Sequence, residues 1–177
     1  MRPAIIYAII FLALLPVYFW SLPKIQPAST LQEKEESLLK LDSIEAITVT
    51  VGAETLKFQK LASGRYDVVE PPGKFIPQDL MNAMIQLLVQ AKSVEVVSET
   101  DKDLAQFELD KPKAQLTIES AGRSQPIKLE FGSENPTHTA VYARILGVPK
   151  VFLLGRNLEY YQQLMFQWIE GKQGKNA

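Results

Sequence analysis

The chain has 177 residues, with 19 basic and 20 acidic side chains, one histidine and no cysteine. A net charge of -1 without a basic stripe argues against nucleic acid as a partner. The lack of cysteine excludes disulfides, thiolate metal ligands and cysteine nucleophiles, and it is compatible with an oxidising periplasm.

The first stretch, Ala4 to Leu22, is almost entirely apolar and uncharged. As a helix its 19 residues would extend about 28 Å, which is close to the hydrocarbon thickness of a bilayer. Arg2 precedes the stretch, and Trp20 stands where an interfacial aromatic belt would fall. We therefore expect a transmembrane anchor over residues 1–23, with its amino terminus cytoplasmic and the remaining chain on the periplasmic side of a bacterial inner membrane.

A cleaved signal peptide is the alternative for this stretch. Its length and its bulky end at Phe19 and Trp20 argue against cleavage, which needs small residues. A mature amino terminus near Ser29 would overturn the anchor.

One face of the predicted anchor helix is aromatic. Tyr7, Phe11 and Tyr18 share this face, and Trp20 follows them at the membrane surface. Contact with lipid is the simplest interpretation, but tyrosine hydroxyls at depth favour packing against another protein. These four residues are our candidates for binding a larger membrane protein.

Residues 24–43 are interpreted as a stalk or linker. Thr30 and Glu33 have the spacing of a capping box, which predicts a short helix from Leu31 to Leu41. Its many charges favour a solvated spacer over a partner-binding helix.

Residues 44–170 are predicted to form the periplasmic domain. From Ile44 the pattern alternates apolar and polar residues through three short segments, which predicts an antiparallel meander. A helix from Pro77 to Lys92 follows, then a short strand at Val94 to Val96 and a helical turn near Asp103 to Phe107. The apolar stripe predicted for the helix is Leu80, Met84, Leu87, Leu88 and Ala91.

The second half repeats this outline. Strands are predicted near residues 116–118, 127–131, 141–145 and 151–154, and a closing helix is predicted from Asn157 to Ile169. Its predicted stripe is Leu158, Tyr161, Leu164, Met165 and Trp168. The predicted fold class is therefore α+β, an antiparallel meander domain with a helix closing each of two similar halves. Residues 171–177 are expected to be a flexible tail.

The sequence offers little catalytic chemistry. His138 is the only imidazole, no G-x-S-x-G motif occurs, and the acidic residues between Glu99 and Asp110 lack the spacing of a calcium loop. We predict an exposed loop position for His138 and no catalytic residue, metal or cofactor. A pair of carboxylates suited to glycoside chemistry stays open, because it depends on distance in space. Tyr160 and Trp168 are either core residues or a partner-binding surface of the domain.

The middle of the chain resembles the bacterial domain-of-unknown-function family numbered forty-three-forty, from about Ile44 to Leu154. The most specific match is Asp103 to Pro112, DLAQFELDKP, followed by Gly132, Asn135-Pro136 and a VYAR segment at 141–144. Members usually carry tryptophan at the position of Tyr66 and glycine at that of Glu108, so the connector is expected to turn differently here. The resemblance implies an anchored envelope protein with an outward β-rich domain, often encoded near ABC-type transport components, and no established catalytic residue.

These observations predict a non-enzymatic accessory subunit of a larger integral membrane complex, tethered in the lipid bilayer. The resemblance implies ABC-type transport as the class of that complex. The alternative is a periplasmic module that binds or carries a lipid or glycan. That alternative predicts an apolar groove between sheet and helix.

Overall fold

The computed structural model describes residues 37–93 and 95–171. The predicted anchor and its candidate residues Tyr7, Phe11, Tyr18 and Trp20 lie outside them, as do residues 172–177. Among the described residues, no helix combines the length and the apolar character needed to cross a bilayer. The anchor therefore stays a prediction.

All eight strands of the described chain form one antiparallel sheet, in the order β3-β2-β1-β5-β6-β7-β8-β4. Within the described residues, two α-helices and one short 3-10 helix accompany the sheet. The strands are β1 (Ile44–Val51), β2 (Glu54–Lys60), β3 (Tyr66–Glu70), β4 (Glu95–Ser98), β5 (Ala114–Ser120), β6 (Ile127–Glu134), β7 (Ala140–Ile145) and β8 (Val151–Gly155). The helices are α1 (Gln78–Val89) and α2 (Asn157–Ile169), with the 3-10 helix at Leu104–Phe107.

This architecture confirms the predicted α+β class. Strands β1 to β3 form one meander and β5 to β8 a second, and the two are joined where β1 pairs with β5. Strand β4 was predicted, but its place was not: it crosses to the far edge and pairs with β8. Strand β8 therefore has a hydrogen-bonded neighbour on each side, and its residues Val151 to Leu154 are all buried.

The two helices cover one face of the sheet, but the predicted stripes are partly wrong. In α1, Met81 is buried beside the predicted Met84 and Leu88, whereas Leu80 and Leu87 are only partly buried. In α2 the buried side is rotated relative to the predicted stripe. Leu158 and Met165 are buried as predicted, whereas Gln162, Phe166 and Ile169 take the places predicted for Tyr161, Leu164 and Trp168, which are only partly buried. Gln162 is buried, and because glutamine is seldom found in a core, the apolar pattern of the sequence did not predict this side of the helix.

The end of the predicted stalk helix is also different from expectation. Residues 37–41 form a turn and not a helix. Leu39 and Leu41 are buried in the core of the sheet and helices, with exposed fractions of 2% and 8%. Arg123 holds this segment by donating to the carbonyl oxygens of Leu39 and Lys40. The burial of the two leucines overrides the local helical signal.

Strand β3 lies at one edge of the sheet, and a glutamine side chain forms hydrogen bonds with its backbone. The amide group of Gln78, the first residue of α1, accepts from Tyr66 N at 3.0 Å and donates to Tyr66 O at 2.7 Å. Tyr66 is buried, and its hydroxyl donates to the carbonyl of Ile44. The strand-like bonds to Gln78 occupy backbone groups that an edge strand would otherwise leave open to another chain.

The opposite face of the sheet is covered in its second half by the connector, residues 98–112. Phe107 packs on Tyr142 with a centroid separation of 4.8 Å, and Leu109 is fully buried. Gly132 of β6 lies against the backbone of Phe107, and a Cβ added to this glycine would stand 2.0 Å from Phe107 O. Phe107, Leu109, Gly132 and Tyr142, which all belong to the segments that carried the family resemblance, therefore meet in one packed contact.

The connector turns at Glu108, the position where the resemblance implies glycine. Glu108 has a φ of 55°, in the left-handed region that glycine adopts without strain. The backbone at Glu108 thus has a conformation that glycine would also adopt. The expected difference in the turn is not seen, and this position differs from the family pattern in its side chain.

Candidate functional site

The loop between β6 and β7 is held rigid by one side chain. The side-chain oxygen of Asn135, Oδ1, accepts hydrogen bonds from Thr139 N at 2.9 Å and from Ala140 N at 3.1 Å. Its amide nitrogen donates to the hydroxyls of Thr137 and Thr139 at 2.9 and 3.3 Å. Pro136 to Thr139 nevertheless remain exposed. The loop thus presents an exposed tip whose shape is fixed in advance.

Glu134 ties this loop to the start of α2. One carboxylate oxygen lies 2.5 Å from His138 Nδ1, and the other lies 2.9 Å from Arg156 Nη2. Arg156 also donates to the backbone oxygen of His138 at 3.3 Å. We call the group formed by residues 134–139 and residues 156–160 the corner.

The electrostatics of the corner favour an ionised carboxylate. The hydrogen bond from His138 has the largest effect and lowers the pKa of Glu134. Burial opposes it, and the charges of Arg156, His138 and Lys113, each a smaller effect, lower the pKa further. Because hydrogen bonding to the charged form dominates, Glu134 acts as a fixed negative anchor for both the loop and the helix.

The two aromatic residues proposed as partner-binding lie differently on α2. Tyr160 is 57% exposed and follows Arg156 by one helical turn, with its N–H bonded to Arg156 O at 2.9 Å. Its ring meets Tyr161 edge to face at 5.9 Å. Trp168 is half-buried two turns further along. The structure thus brings Tyr160 into the corner and leaves Trp168 outside it.

The corner presents charged, hydrogen-bonding and aromatic groups at the surface. His138 is exposed, as predicted, with 74% of its side chain accessible, and its carboxylate partner is shared with Arg156. The part of the chain that the structure describes holds no group of three or more histidine, aspartate or glutamate side chains placed to bind a metal ion. A preorganised, exposed loop with charged and aromatic neighbours suits contact with another macromolecule.

Some charged groups outside the corner have structural partners. Glu130 is buried and bonded to Arg144 at 2.6 Å and to Gln115 at 3.2 Å across three adjacent strands. The acidic residues of the connector are exposed, as expected of a solvated segment, and Glu108 pairs with Lys113 at 2.9 Å. These groups hold the sheet and the connector together.

Sequence reasoning missed Glu134 and Arg156 as members of the corner. They are 22 positions apart in the chain, and only the β7–β8 hairpin brings them together. Asn135 carried a readable signal, because Asn-Pro marks the start of a turn. Nothing local indicated that its side chain would brace the whole loop.

The fold and the corner define an α+β domain of one antiparallel sheet with an exposed loop that is braced by hydrogen bonds. The chain belongs to the family described as Domain of unknown function (DUF4340), whose model matches residues 68–173, more than half of its length. This confirms the resemblance and extends it through α2, whereas β1 and β2 lie before the matched range. No curated protein and no solved structure gave a significant match.

Proposed function

We propose that this protein is a non-enzymatic accessory subunit of a larger membrane protein complex. A single amino-terminal helix would hold it in a bacterial inner membrane, and the sheet domain would contact the complex on the periplasmic side. An ABC-type transport complex is the partner class that the family resemblance implies.

The corner is the observation that supports this proposal most strongly. The Asn135 side chain accepts two hydrogen bonds and donates two, and Glu134 receives two more from Arg156 and His138. Together they fix a tip that is itself exposed. Rigid loops lose little conformational entropy on binding, and exposed tyrosines such as Tyr160 are favoured at interfaces. An internal structural role would not require four exposed residues at the tip.

The carrier alternative has less support. It needs an apolar groove between sheet and helices, but that space is filled by fully buried side chains such as Met81, Met84, Leu88 and Met165. Three surface clefts have volumes of about 270 to 380 Å³ and mixed linings. These features favour protein contact over the uptake of an amphiphile.

Site-specific photo-crosslinking in intact cells tests the proposal. A crosslinking residue at Thr137, in the exposed tip, is expected to capture an integral membrane protein, and one at Ser63, in the exposed β2–β3 turn, serves as the control. A second variant replaces Tyr7, Phe11 and Tyr18 together by leucine; if it still assembles with the partner, the amino-terminal helix serves only as a tether. Equal yields at Thr137 and Ser63, with the tagged chain isolated as a lone monomer under gentle solubilisation, would refute the accessory role.

A further inference from the structure

An apolar cleft of about 270 Å³ opens at the opposite end of α2 from the corner. It lies between the start of β2, the end of β3 and the last turn of α2. Its floor consists of Leu56, Pro71, Phe166 and Ile169, of which Leu56, Phe166 and Ile169 are at most 9% exposed. Since α2 has 13 residues, the cleft and the corner are about 20 Å apart along the helix.

The rim of this cleft is negative. Glu54, Glu70 and Glu170 line it and are exposed. The carboxyl end of α2 adds the negative end of the helix dipole, and the last turn of α2 contains no basic residue. Within residues 37–93 and 95–171, neither Glu54 nor Glu70 forms an ion pair. The cleft thus combines an apolar floor with a cation-attracting rim.

We infer that this cleft binds a lysine or arginine side chain carried by an apolar-flanked segment of a partner protein. The aliphatic stem of such a side chain packs on Phe166 and Ile169, and its charged end reaches the carboxylates of Glu54 and Glu70. The volume is below the roughly 300 to 1,000 Å³ of pockets for drug-sized ligands, so it matches one inserted side chain.

The inference rests on the proposed function only in that the domain binds a protein. The corner and the cleft are separate surfaces, so each can fail without the other. A complex that forms through the corner and ignores the cleft would leave the accessory role intact.

The test uses the purified full chain in mild detergent and a fluorescent peptide in which lysine alternates with leucine. Fluorescence anisotropy gives its affinity, and the same peptide with glutamine in place of lysine gives the reference. Replacing both rim residues, Glu54→Gln with Glu70→Gln, is expected to weaken binding of the lysine peptide about five- to tenfold, and added salt is expected to weaken it in the parent. The matched control is Glu95→Gln with Asp101→Asn, which removes the same charge from the β4 side of the sheet.

Three results would overturn the inference. The first is equal affinity for the lysine and glutamine peptides. The second is an unchanged affinity in the Glu54→Gln/Glu70→Gln variant, or an equal loss in the control. The third is binding of the lysine peptide only after residues 172–177 are deleted, since the occupant would then be the chain's own tail with its two lysines.

Discussion

The connector and the corner both fold against strands β6 and β7, yet they do so by different physics. The connector buries Leu109 and rests its backbone on Gly132, so its position is set by close packing. The corner leaves its tip exposed, so its shape is set by hydrogen bonds to Asn135 and Glu134.

The difference separates the packed residues of the specific motif from the exposed residues of the loop, although Asn135 and Pro136 of that loop also belong to the family resemblance. The specific DLAQFELDKP element lies in the connector, where Phe107 and Leu109 hold the fold together. The exposed surface is offered by the neighbouring loop, whose only signal was an Asn-Pro pair. A family motif here indicates architecture, and the candidate binding surface lies beside it.

The largest expected effect is at the connector contact. Replacing Gly132 by alanine puts a Cβ 2.0 Å from Phe107 O and 3.1 Å from Leu109 Cγ, so the connector must move. We expect the free energy of unfolding to fall by about 3 kcal/mol, measured by urea denaturation. The control is Gly155→Ala, where an added Cβ meets no atom within 4 Å. Equal stability of the two variants would contradict the packing contact.

A smaller loss is expected in the corner. Asn135→Ala removes the acceptor for two backbone N–H groups at the exposed loop, which costs about 1 kcal/mol of unfolding free energy. The Asn135→Asp variant keeps this acceptor and should lose less. Amide hydrogen exchange should show faster exchange at Thr139 and Ala140 in the alanine variant. Unchanged exchange there would mean that the loop is not braced by Asn135.

A gain is expected at the turn of the connector. Glu108→Gly relieves a left-handed residue at φ 55°, and the loss of the exposed ion pair to Lys113 offsets part of the benefit. The net rise in the free energy of unfolding should be about 0.5 kcal/mol, limited by the greater freedom of glycine in the unfolded chain. Glu108→Ala is the control, because it removes the ion pair and keeps the strained conformation. A variant that is less stable with glycine than with alanine would contradict this account.

The smallest expected effect is electrostatic. Removing the imidazole in His138→Ala should raise the pKa of Glu134 toward its ordinary value, because the hydrogen bond from His138 is the largest cause of the lowering. A lowered carboxylate pKa stabilises the fold above the ordinary pKa of glutamate, and that contribution is lost as the pH falls through the lowered pKa. The variant should therefore lose part of the stability that Glu134 contributes above the ordinary pKa of glutamate, and its stability in strong acid should change little. Carboxyl-carbon NMR titration measures the shift, with Thr137→Ala as the control; an unmoved pKa would contradict the assigned cause.

The sequence predicted most elements because periodicity is local. Alternation identified the strands of both meanders, and Pro77 marked the start of α1. Three features depend on distant contacts and were missed: the pairing of β4 with β8, the burial of Gln162, and the meeting of Glu134 with Arg156. Each is decided by tertiary packing, which no short window contains.

The most direct test of the corner as the partner surface is co-isolation from gently solubilised membranes. Tagged full-length chains carrying Thr137→Arg, at the exposed tip, or Ser63→Arg, at the exposed β2–β3 turn, are compared with the parent after their melting temperatures are shown to agree. We predict that Thr137→Arg loses most of the co-isolated membrane protein and that Ser63→Arg retains it. Recovery of the same amount with Thr137→Arg as with the parent would contradict the account.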